Sequence, residues 1–141
     1  MKSAHATHLS SAFLIAATRS AELRVIDDGA RFESAVVPAI VCAAFSIELG
    51  LKSLVYKESN IECKREHKLE ALFKKLLPST QAAIVQELNM QPNEFNEQIS
   101  LASNAFVDWR YVYEKSSISI NFEFLKALAS AVEKINNSAT P

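Results

Sequence analysis

Glycine is nearly absent from this chain. Its 141 residues hold two, Gly29 and Gly50, together with four prolines. Two isolated glycines cannot build the loop of backbone N–H groups that cradles a phosphate, so glycine-rich nucleotide-binding motifs are excluded. Cysteine is equally scarce. Cys42 and Cys63 lie far apart, which argues against a structural disulfide, and Cys42 reads as a small core residue. No Gly-x-Ser-x-Gly elbow and no His-Glu-x-x-His motif occurs. Neither sign of charge dominates: 15 basic and 16 acidic residues give a formal net charge of −1. That argues against a strongly electrostatic nucleic-acid binder and leaves a local basic patch open. The uncharged stretch Ser34–Ile47 is too short and too interrupted to span a bilayer. The N-terminus carries one lysine and then polar residues rather than a clean apolar run. No membrane span or targeting segment is expected, and the chain is expected in the cytoplasm.

What is present is ordinary globular composition, 49% hydrophobic and 22% charged, enough for one domain over 1–141 with a real core. Apolar spacing predicts an all-α bundle of five or six helices and no strand. A first helix from about Thr7 to Asp28 would end at Gly29 as a C-cap, with Ala30 to Val37 a connecting turn. A second helix, entered through Pro38, extends to about Lys57; it is apolar on nearly every side and reads as the central helix. Its small residues Ser46, Gly50 and Ser53 share a face that would let a neighbour approach closely. After a polar loop, Ser59 to Arg65, a third helix is expected from His67 to Leu77, closed by Pro78. A fourth is expected from Ser79 as N-cap to about Leu88, and a fifth from Pro92 to about Glu114. Ser116 to Asn121 reads as a loop, Phe122 to Ile135 as the last helix, and 136–141 as a flexible tail.

Charge falls where apolar residues belong. From Phe95 the stripe runs through Ile99, Ala102 and Phe106, and its next steps are Arg110 and Tyr113. On the second helix Glu48 and Lys52 share a face with Val41, Phe45 and Val55. Charges are rarely buried unless paired, so two helices turning charge inward predict a shared polar cluster of Glu48, Lys52, His67, Arg110, Tyr113 and Glu114.

Three segments resemble a known family. Glu48-x-x-x-Lys52 lies on a hydrophobic helix, His67-x-Leu-x-x-Leu opens the next, and Trp109-Arg110-Tyr111 stands near the end. In this order and in a chain of this size, they resemble the HEPN superfamily (higher eukaryotes and prokaryotes nucleotide-binding). The resemblance implies an HEPN-like helical bundle, often a homodimer, found in bacterial toxin–antitoxin and phage-defence systems. Its partners would be RNA, a nucleotide or a cognate protein, with no cofactor. Many members are metal-independent ribonucleases whose active site is an arginine followed four to six residues later by histidine. Here Arg110 is followed by Tyr-Val-Tyr-Glu-Lys-Ser-Ser, with no histidine. Standard nuclease chemistry is therefore not expected; a divergent active site would rest on Arg110, with His67 or Tyr113 in the missing role.

Each of these residues also has a plainer reading. Arg110 either contacts phosphate through its planar fork or pairs with Glu48 to anchor two helices. Glu48 and Lys52, four apart in the favourable order, form an ordinary helical ion pair, worth about 0.2–0.5 kcal/mol when exposed. Cys63 and His67 are one turn apart, but no second pair of ligands lies nearby, so no metal site is expected. Trp109, Tyr111 and Tyr113 either stack on bases or pack. Lys64, Arg65, Lys68, Lys74 and Lys75 are interleaved with Glu62, Glu66 and Glu70, the pattern of a solvated face.

Overall fold

The computed structural model describes residues 3–22, 24–26, 31–33, 36–103 and 121–138. Among these residues the protein is a helical bundle: α1 (Ser3–Ala21), α2 (Val36–Ser59), α3 (Leu69–Lys74), α4 (Pro78–Glu87), α5 (Pro92–Ala102) and α6 (Phe122–Ser138). One short hairpin, β1 (Arg24–Ile26) with β2 (Arg31–Glu33), joins α1 to α2. Its strands are antiparallel, with Val25 opposite Phe32. The hairpin corrects the sequence reading at two points: the first helix stops at Ala21 rather than near Asp28, and part of the expected connecting turn is strand. Three residues per strand leave the architecture all-helical in character.

The central position expected of α2 is observed. Thirteen of its residues are buried, from Ala39 to Val55, because it meets α1, α3 and α6 on different sides. It is also long and apolar enough to cross a bilayer by length and composition, with a mean hydropathy of 1.6, but 61% of that window is buried in the bundle.

The α1–α2 contact is built from hydroxyls. Ser10 Oγ donates to the Ser46 carbonyl at 2.7 Å and Ser46 Oγ donates to the Ser10 carbonyl at 2.7 Å. One end of the same seam links Thr7 and Ser3 to the Ser53 hydroxyl at 2.6 and 2.9 Å. Gly50 sits between these contacts, where an added Cβ would lie 2.9 Å from Ser10 Oγ. The small face Ser46–Gly50–Ser53 is thus the close-approach surface that its spacing predicts. The seam also carries an aromatic contact, Phe13 on Phe45, with centroids 4.5 Å apart.

A second centre is aromatic. Phe95 of α5 is wholly buried between Phe73 of α3 (4.7 Å) and Phe124 of α6 (5.9 Å). Helix ends follow local chemistry. Asn60 and Asn89, just beyond α2 and α4, adopt positive φ of 58° and 53°, a conformation asparagine tolerates. Pro78 and Pro92 take first-turn positions. Ser79 is not the cap of α4, however, because Leu77 occupies that position; a side chain of α2 reaches across instead. Glu58 accepts from the Leu77 N–H at 2.9 Å and from the Thr80 hydroxyl.

Helix α6 begins where Asn121 Oδ1 caps the Phe124 N–H at 3.0 Å. It continues through Ser138, past the expected start of a flexible tail. Asn136, read as part of that tail, is 3% exposed. Its Nδ2 donates to the Gly50 carbonyl at 2.9 Å, while Lys57 Nζ donates to its carbonyl and Oδ1 at 3.0 and 3.1 Å. Burial of the Lys57 ammonium lowers its pKa.

Candidate functional site

Glu48 lies in the middle of α2, among residues that exclude water, and is 2% exposed. A buried carboxylate needs counter-charge and donors. Its Oε1 accepts two contacts: Lys52 Nζ at 2.9 Å, one turn along the helix, and His67 Nδ1 at 2.8 Å, from outside it. Oε2 has no hydrogen-bond partner among the described residues. Three of the predicted site residues, Glu48, Lys52 and His67, therefore meet at one oxygen. Arg110, Tyr113 and Glu114 lie outside the described residues, as do Trp109, Tyr111 and the second half of the helix expected to carry them; α5 ends at Ala102.

His67 reaches Glu48 because it does not open a helix. Helix α3 begins two residues later, at Leu69, and ends at Lys74 rather than Leu77. The segment before it is pinned from both sides. Glu66 Oε1 accepts the N–H groups of Lys68 and His67, each at 3.0 Å. Those two backbone hydrogen bonds, Lys68 first, and then the charges of Lys75 and Lys68 hold the Glu66 carboxyl below its ordinary pKa. Beyond it, the Ser103 carbonyl accepts the Leu69 N–H at 3.0 Å and Ser103 Oγ accepts that of Glu70 at 3.3 Å. The start of α3 is thus tied to Ser103, at the end of α5.

The exposure of the trio is graded. Lys52 is 14% exposed and His67 52%, so the imidazole is held by a buried anchor while its outer edge faces water. Lys52 also lines a cleft of about 170 Å³ with Ser53, Tyr56, Cys63 and Lys64. A shallower concavity of about 690 Å³ adjoins it, lined by 61–66 and by Lys75.

The surrounding charges are only partly balanced. Lys64 pairs with Glu62 at 3.0 Å and Lys74 with Glu70 at 2.8 Å, as a solvated face requires. Arg65, Lys68 and Lys75 make no ion pair among the described residues. Sequence reasoning counted acids against bases and did not foresee that Glu66, whose carboxylate feels the charges of Lys75 and Lys68, also spends one oxygen on backbone N–H groups. It also missed Ser103 and the cleft beside Lys52, which no local pattern announces. No group of three or more His, Cys, Asp or Glu side chains among the described residues is placed to hold a metal ion. Cys42 and Cys63 are free thiols, and burial raises the pKa of Cys42.

No family model, curated protein or solved structure matches this chain. The geometry of the Glu48 cluster and the resemblance in the sequence are what a functional reading rests on.

Proposed function

We propose that this protein is an HEPN-like helical module of a bacterial defence or toxin–antitoxin system that binds a phosphate-bearing ligand, RNA in the first place. A nucleotide or a cognate protein is the other partner the resemblance implies. The observation that carries the reading is that Arg65 and Lys75 line a concavity adjoining the cleft that Lys52 lines, close to the buried Glu48 carboxylate that Lys52 and His67 hold. A solvated face made only for solubility has no need of a buried carboxylate beneath it. Cations on a pinned segment suit phosphate, which is bound by charge and multiple N–H donors.

The test is binding of a labelled single-stranded oligoribonucleotide by the full chain at two salt concentrations. Affinity is expected to fall as salt rises and to be lost in an Arg65→Ala/Lys68→Ala/Lys75→Ala variant. Equal binding by the variant, or no ligand-induced rise in melting temperature, overturns the reading. We further place the protein in the cytoplasm, in keeping with its free thiols, and read it as a homodimer on exposed Ile15, Val36 and Leu101. Light scattering decides the second point.

A second reading, a metal-independent endoribonuclease, is favoured by the imidazole–carboxylate contact itself. Arg110, His67 and Tyr113 would then form the active site. RNA cleavage in EDTA that Arg110→Ala abolishes in a folded protein would support it, and no cleavage would leave the binding module.

A further inference from the structure

We propose that the cleft beside Lys52 is a base subsite: it takes one pyrimidine ring of an RNA strand whose phosphate lies in the adjoining concavity. The phosphate half rests on the reading above; the ring half stands on the cleft itself.

Size is the first argument. The cleft measures about 170 Å³. An apolar protein cavity of about 150 Å³ admits a benzene ring. One six-membered ring with its exocyclic oxygens therefore fits, whereas the fused rings of a purine and a whole nucleotide do not.

The lining is the second. Ala6, Tyr56 and Cys63 give mainly apolar walls, which suit the faces of a flat ring. Lys52 supplies the polar contact. Its ammonium is 14% exposed, and among the described residues it spends one of three N–H donors, on Glu48 Oε1. The donors left over suit a keto oxygen, and both uracil and cytosine carry one at O2. Because Glu48 already offsets the charge of Lys52, the ring needs no charge of its own.

The cleft is also built before a ligand arrives. Ser3 and Thr7 hold the start of α1 on the Ser53 hydroxyl at 2.9 and 2.6 Å, and Glu48 holds Lys52. A preformed site spends little binding energy on ordering. Its position completes the case. Glu62, Cys63 and Lys64 line both the cleft and the concavity of Arg65 and Lys75. A nucleotide has the same two-part build, a flat ring and a phosphate joined by a ribose. A phosphate drawn to those cations brings its ring to the mouth of the cleft.

The experiment is a proton–nitrogen correlation spectrum of the ¹⁵N-labelled full chain, titrated separately with uridine, adenosine and ribose 5-phosphate. Uridine is expected to move the amides of Ser53 and Tyr56, and adenosine to leave them still. Tyr56→Leu, which keeps an apolar wall and removes the aromatic ring, is expected to weaken uridine about tenfold. No movement at Ser53 and Tyr56 with uridine, or equal movement with adenosine, overturns the subsite. So does unchanged affinity in a folded Tyr56→Leu protein; if that variant does not fold, the two nucleosides decide alone. Ribose 5-phosphate separates the two halves. Movement at Arg65 and Lys75 is expected, and its absence overturns the phosphate reading while the ring site still stands or falls on uridine. A short oligouridylate is expected to bind about tenfold tighter than uridine 5′-monophosphate, since a strand adds phosphate contacts. Equal affinity overturns RNA as the source of the ring and assigns the cleft to a free pyrimidine nucleotide.

Discussion

A Cβ placed on Gly50 would stand 2.5 Å from Val132 Cγ1, inside any tolerable contact, so α2 and α6 touch backbone to side chain at that point. Val132 is wholly buried and has no room to yield. Gly50→Ala gains about 1 kcal/mol of helix propensity and loses about 1–3 kcal/mol to overpacking. A net loss of about 1 kcal/mol in chemical denaturation is expected, where an exposed glycine in a helix would show a gain.

Lys52 and Glu48 are expected to be coupled far beyond an exposed helical pair. Lys52→Met leaves His67 as the only donor to a buried carboxylate among the described residues and is expected to cost about 1–3 kcal/mol. Adding Glu48→Leu to Lys52→Met removes the unbalanced charge and is expected to recover most of that loss. Denaturation of the single and double variants checks the cycle; simple additivity would count against a buried cluster.

Asn136 makes three hydrogen bonds to two partners, the Gly50 carbonyl and the Lys57 ammonium. Asn136→Leu is expected to destabilise by about 1–3 kcal/mol, and truncation after Ile135 to do at least as much. A truncated chain with an unchanged melting temperature would show that the end of α6 contributes nothing.

Glu58 caps α4 from another helix, and Glu58→Ala is expected to cost about 1 kcal/mol. The loss should appear as faster amide exchange at Leu77 and in the first turn of α4, with α6 unaffected.

Acid is expected to loosen the segment that presents His67. The Glu66 carboxyl titrates below its ordinary value because it accepts the Lys68 and His67 N–H groups. A carboxyl lowered by folding stabilises the folded form above its unfolded pKa, and that contribution is lost as pH falls through the folded pKa. The amide resonances of Lys68 and His67 should therefore move together below the usual glutamate range, and stay still there in Glu66→Gln. A midpoint at or above the ordinary value would show that those hydrogen bonds do not favour the charged form.

Periodicity made the helices legible, and the small face of α2 was legible in Ser46, Gly50 and Ser53 alone. The hairpin was not, although its signal was present: Asp28-Gly29 between Arg24-Val-Ile26 and Arg31-Phe-Glu33 is turn chemistry between short β-prone runs. Gly29 fits a helix C-cap equally well, and a long apolar helix before it tipped the reading. Of the candidate site, Glu48 and Lys52 were legible because charge on an apolar face is informative wherever it occurs. The contact of His67 with Glu48 was not, because nineteen residues separate them and packing of α3 on α2 closes the distance. Glu66 is the counter-charge its spacing suggests, since the charges of Lys75 and Lys68 act on it, but its two backbone hydrogen bonds were not legible, because a carboxylate bonded to backbone looks the same in sequence as one facing a lysine.

The reciprocal bonds between Ser10 and Ser46 set register as well as supplying energy. Apolar helix faces tolerate sliding, because one methyl replaces another at nearly equal energy. A hydroxyl matched to a single carbonyl does not. Moving α1 by one turn along α2 would break the Ser10, Thr7 and Ser3 contacts together and drive Ser10 away from the close approach over Gly50. The seam works as a vernier scale: its marks coincide at one setting, and that setting fixes the register of α1 on α2.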